Sequence, residues 1–175
     1  MHEFVELMDH CTAFTLEALT QANKRALDGL QTSAATPLVT ALQMVQMQKA
    51  ISAVGMFSLF EAMLQDHLEC GDGFLAVEEL LESEGEIALK ERFVDLRRAT
   101  NVLKHGRGRS YNALIAKAER LPFRIKRPGE VFFREGDVSE VATLIEVDDA
   151  FVHNCAEVIC QVAESVRRRR ARFVG

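Results

Sequence analysis

Arg98, Asn101 and His105 are the residues of this chain whose types and spacing best suit chemistry on a phosphate ester. A helix turns about 100° per residue, so with Leu89 at zero they fall near 180°, 120° and 160°, on one face. Leu89, Phe93, Leu96, Thr100 and Leu103 fall within about 40° of zero and form the stripe expected to meet a core, which directs the Arg/Asn/His face away from it. Gly106 reads as the helix C-cap, leaving His105 in the last turn, where the negative end of the helix dipole favours a protonated imidazole. An imidazole that moves protons beside a guanidinium that grips a phosphate bidentately suffices for metal-independent cleavage of RNA. The plain alternative is a solvated helix end whose polar side chains only cap and pair.

The charge around this face is uneven. The chain is formally −5, yet residues 90–134 carry 13 Lys and Arg against 4 Asp and Glu, whereas residues 1–89 carry 3 against 14. The middle is thus a local trap for anions, fit for a phosphate-bearing partner or for plain basic surface. Lys104, Arg107 and Arg109 flank His105 and would add phosphate affinity without reading bases. The RRRRAR run at 167–172 falls in the last turns of a closing helix, where it complements the dipole or forms a solvated tail.

With 175 residues and 48% hydrophobic content, the chain fits one domain, 1–175, able to bury a core without staples. It has no long uncharged apolar run and no basic-then-apolar opening, so a soluble, cytoplasmic protein without membrane contact is expected. Cys11, Cys70, Cys155 and Cys160 show no CxxC pairing and read as reduced thiols. His2, His10, His67 and His153 lack zinc-ligand spacing, so neither a metal nor a cofactor is expected.

The elements that must position the site are helical. Residues 3–30 read as an amphipathic helix with Phe4, Leu7, Cys11, Phe14, Ala18 and Ala22 as its apolar stripe. After a linker, Pro37 opens a helix running to Cys70, roughly 50 Å long, apolar nearly all round in its middle and so to be covered by other helices or a second subunit. Glu61 interrupts that middle; it either pairs with some nearby arginine or orients Arg98 or His105 as a supporting acid. An acidic connector, VEELLESEGE, leads to the helix at about 86–105, and a short helix is expected at about 110–120. Alternation in FRIK and ATLIEV, the β-prone VFF, and Pro128, Gly129 and Gly136 predict a small β-hairpin or three short strands within 122–147. Asp148 then caps a final helix over 149–172 with Phe151, Cys155, Val158, Val162 and Val166 inward.

This order resembles a HEPN domain, in the long second helix with its mid-helix acid, the next helix ending Arg-x6-His-Gly, the basic loop and the long final helix. The resemblance spans roughly residues 38–106 and 149–172, with the first helix and the β insertion as additions to an all-α, HEPN-like helical bundle. It implies a homodimeric, metal-independent endoribonuclease, a toxin or anti-phage effector restrained by a partner such as an antitoxin. Arg98 and His105 take the catalytic positions, and Asn101 would place the ribose or hold His105. In that family the Arg/His faces of two subunits converge, which would make Val94 and Val102 interface residues. HEPN nucleases usually carry Asn, Asp or His directly after the Arg, where this chain has Ala99. The other reading is therefore a catalytically inactive HEPN interaction module that binds RNA, nucleotide or a partner protein.

Overall fold

The computed structural model describes residues 2–132 and 139–174. Six α-helices follow one another: α1 (His2–Leu30), α2 (Thr36–Leu68), α3 (Gly73–Ser83), α4 (Ile87–His105), α5 (Arg109–Ile115) and α6 (Asp149–Val174), with a 3₁₀ turn at Ala118–Arg120. Local chemistry sets their limits. Pro37 stands in the first turn of α2, where a missing N–H costs nothing. The N–H groups of Leu75 and Phe151 donate to the cap carboxylates Asp72 and Asp148 at 2.9 and 2.7 Å. α4 stops at Gly106, whose φ of 71° and ψ of −140° are open to glycine alone without strain.

The acidic stretch 77–86 corrects an expectation, because most of it is helical rather than a connector. Phe74, Val77, Leu80 and Leu81 recur at helical spacing and are buried between α2, α4 and α6. The glutamates between them hide that stripe in a reading by charge. Gly73 lets α3 start directly on α2, since a Cβ there would meet Leu64 Cβ at 2.8 Å.

α2 and α6 run side by side in the same direction, tied near one end by the 2.8 Å ion pair Lys49–Asp149. α1 packs on one side of this pair and α4 on the other; α3 closes the gap between α2, α4 and α6. α4 runs antiparallel to α6: Glu86 accepts from Ser165 and pairs with Arg168, both at 2.7 Å, and Arg92 donates to Asn154 at 2.8 Å. Phe57, Phe60, Phe74 and Phe93 form an aromatic cluster with centroids 5.4–6.4 Å apart, locking α2, α3 and α4 together. The α6 stripe Phe151, Cys155, Val158, Val162 and Val166 is buried as its spacing predicts.

α1 spans the expected range but presents a different face. Met8, Thr12, Leu16 and Ala26 are buried, while Leu7 and Phe14 of the predicted stripe are 63% and 75% exposed and Cys11 is exposed. Both sets recur at helical spacing, and the fit to α2 chooses between them. Thr12 is accommodated by donating its hydroxyl to Met8 O at 2.8 Å and by contact with Met56 Sδ at 3.3 Å.

The described residues of 121–148 are not helical, in keeping with their alternation, and no strand forms among them. One antiparallel bridge joins Ile125 to Ile145, with Lys126 N–H donating to Leu144 O at 2.8 Å and Glu146 N–H to Arg124 O at 3.1 Å. Pro122 and Pro128 flank the first segment and supply no ladder donors, so the pairing does not propagate into the expected hairpin. Phe133 of the VFF motif and Gly136 lie outside the described residues. Phe123 stacks edge-on against Phe151 at 5.3 Å and fixes the segment to α6. Among the described residues no helix is long and apolar enough to cross a membrane.

Candidate nucleic-acid interface

On α4, Phe93, Leu96 and Thr100 are buried and Leu89 and Leu103 lie partly buried against the core; His105 is exposed, whereas Arg98 and Asn101 are half-buried. The buried sector is wider than the predicted stripe and also takes in Ala99, at 0% exposure, and Val102, at 2%. Val102 is therefore core and is not available as an interface residue; Val94 is half-buried. The cause is α5, which folds back on α4 and adds Tyr111 and Leu114 to the same core. Burial of Ala99 has a chemical consequence, because a polar side chain following Arg98 would point into the core and away from His105.

Ion pairing sorts the basic residues of 90–134. Lys90 pairs with Glu82, Arg92 with Glu157, Arg97 with Glu78, Lys117 with Asp95, Arg124 with Glu146, Lys126 with Glu140 and Arg127 with Glu119. Those seven charges serve the fold. Among the described residues Arg98, Lys104, Arg107, Arg109 and Arg120 have no acid partner, and four of the five lie between Arg98 and Arg109. No Asp or Glu occurs from Leu96 to Ala118, and the flanking acids Asp95 and Glu119 are each consumed by a pair. The surviving positive charge is thus concentrated at the end of α4 and the loop after it. Arg107 lies over the Tyr111 ring at 5.8 Å, and Tyr111 donates its hydroxyl to Lys126 O at 2.8 Å, which steadies the loop against the 122–127 segment.

Arg97 shows how adjacent arginines divide their work. Its Nη2 approaches Glu78 Oε1 at 2.8 Å and its guanidinium lies 5.8 Å from the Phe74 ring centroid, so Arg97 joins α4 to α3. The ion pair is close but out of hydrogen-bond line, leaving Glu78 Oε1 and Arg97 Nε without hydrogen-bond partners. Arg98, one residue on, is also half-buried but has no acid partner among the described residues. The supporting role expected of Glu61 is not seen: among the described residues no hydrogen bond or ion pair joins Glu61 to Arg98 or His105. No carboxylate or carbonyl orients the His105 ring either. The end of α4 and the loop after it form a basic surface, with Arg98, Asn101 and His105 at its helical end. Its charge selection could not be read from the sequence, since the acids that neutralise Arg92 and Arg124 stand 65 and 22 residues away.

Comparison of the chain with protein-family models, with curated proteins and with solved structures finds no match.

Proposed function

We propose that this chain is an RNA-binding helical domain whose Arg98–Asn101–His105 face carries metal-independent cleavage. The observation behind it is the ion-pair selection: among the described residues of the basic segment, four of the five side chains left without acids lie around His105. A run of uncompensated arginines and a lysine on an exposed ridge suits a polyanion. Arg98 and His105 lie ~10 Å apart along the helix axis, a span that an arginine side chain closes over one phosphate–ribose unit.

In the proposed step water takes the proton of a ribose 2′-hydroxyl. The 2′-oxygen bonds to the adjacent phosphorus as the bond to the 5′-oxygen breaks, and protonated His105 supplies the proton to the departing oxygen. The products are a 2′,3′-cyclic phosphate and a 5′-hydroxyl. Arg98 holds the non-bridging oxygens as charge builds on them, and Lys104, Arg107 and Arg109 hold neighbouring phosphates.

A second reading, RNA binding without cleavage, is favoured by the unoriented His105 ring and by the inward Ala99. Incubation of single-stranded RNA with the protein in chelator decides between them. Cleavage lost by ~10²-fold or more in His105→Ala and Arg98→Ala, with cyclic-phosphate ends, supports the enzyme. Salt-sensitive binding with equal inertness of wild type and variants supports the binding module, and no affinity at low salt removes both.

A further inference from the structure

We infer that the α1/α2 face is the surface through which two copies of this chain pair, independently of what the α4 ridge does. Leu7, Phe14, Met44, Met47, Ile51 and Leu59 are each between 47% and 75% exposed. Leu7 and Phe14 are seven residues apart on α1, as are Met44 and Ile51 on α2, so each set runs along one side of its helix. The two sides meet in one groove of about 370 Å³, lined by Leu7 and Cys11 from α1 and by Ile51, Gly55 and Leu59 from α2. At ~200 Å² per large side chain, the six leave roughly 700 Å² of apolar surface in water. That exceeds the ~300–600 Å² of the largest patch on an ordinary monomer and approaches the ~800 Å² each partner buries in a stable complex.

Charge identifies the occupant. From Thr36 to Phe60 α2 has one charged residue, Lys49, and it is turned inward to Asp149. The outer side of α2 is therefore uncharged over some seven turns, in a chain of which 27% is charged. The α1 acids Glu6 and Asp9 stand away from this face, in the groove between α1 and α6. An uncharged centre with methionines within it is the composition of an interface core, and α2 can meet its own copy across a two-fold axis without like charges touching. The hollow at Gly55, where an added Cβ would meet nothing within 4 Å, gives the facing side chains a place to insert.

Two α1–α2 hairpins then form a four-helix layer. Because α1 and α4 lie on opposite sides of the α2/α6 pair, each protomer's Arg98–His105 face stays on an outer flank. This arrangement replaces the convergent dimer through α4 and makes the pair bivalent toward a long polyanion.

Sedimentation equilibrium of the full chain from 1 to ~50 µM, in the concentration range of ordinary dimers, should give a dimer. Phe14→Asp and Ile51→Asp should each raise its dissociation constant by ~10²-fold or more while leaving helicity unchanged, since both side chains are already exposed in the protomer. Val94→Asp on α4 should leave the dimer intact. As a second readout on unaltered protein, alkylation of Cys11, exposed in the groove, should slow as concentration rises through the dimer transition. A monomer at all concentrations, a dimer indifferent to Phe14→Asp and Ile51→Asp, or one broken by Val94→Asp overturns the proposal. None of these outcomes depends on RNA cleavage.

Discussion

Replacing Arg97 or Arg98 by alanine should produce opposite phenotypes from adjacent positions. Arg97→Ala removes a partly buried ion pair, whose side chains are 25% and 17% exposed, and a cation–π contact with Phe74, leaving the Glu78 carboxylate largely desolvated without its cation. Discounted for the residual exposure, the loss is about 2 kcal/mol. For a domain of this size it lowers Tm by about 6 °C. Among the described residues Arg98 has no acid partner, and alanine is at least as good a helix former, so Arg98→Ala should change stability by less than ~0.5 kcal/mol. Its effect belongs to RNA: affinity for a single strand should fall, and the slope of log K against log salt should become shallower by ~0.7. Thermal unfolding followed by circular dichroism, together with RNA binding titrated over 50–200 mM salt, a range wide enough to resolve that slope, measures both. Equal Tm losses in the two variants would refute the division of labour, as would loss of RNA binding in a thermally unaltered Arg97→Ala protein.

Phe93→Ala, fully buried among Phe57, Phe60 and Phe74, should cost ~3–5 kcal/mol in denaturant unfolding, and a loss under ~1 kcal/mol would show the cluster to be loosely packed. Asp72→Ala should cost ~1 kcal/mol, with no change if the α3 cap is not formed in solution. Burial raises the thiol of Cys155 above the usual range, and burial with Asp9 and Glu164 raises Cys160. A raised pKa means less thiolate at a given pH, so at pH ~8.5, where a free cysteine is half ionised, Cys160 should alkylate more slowly than a free cysteine and Cys155 only on unfolding. Fast labelling of Cys155 in folded protein contradicts that assignment.

The helix ends were legible because their causes are local. Asp72 and Asp148 cap through N–H groups three residues on, and Gly106 ends α4 through its own φ and ψ. The shared face of Arg98, Asn101 and His105 follows from helical rotation and needs no knowledge of any neighbour. α3 is hard to read in the sequence because its acids mask the spacing of Phe74, Val77 and Leu80. Alternation in 122–147 reports which side chains share a face and does not report how far hydrogen bonding propagates between prolines.

What the amino-acid order determined by itself is therefore the set of helices, their termini, and the relative bearing of residues on each one. Only the tertiary structure decided which bearing is inward. On α1 two stripes compete, and the shape of α2 admits Met8 and Leu16 while leaving Leu7 and Phe14 in water. On α4 the fold-back of α5 claims Ala99 and Val102. The basic ridge is tertiary in the same sense, since a charge is neutralised only by acids that packing brings within reach. Rotation about a helix axis costs nothing locally; the burial and ion pairing that select one rotation exist only between elements.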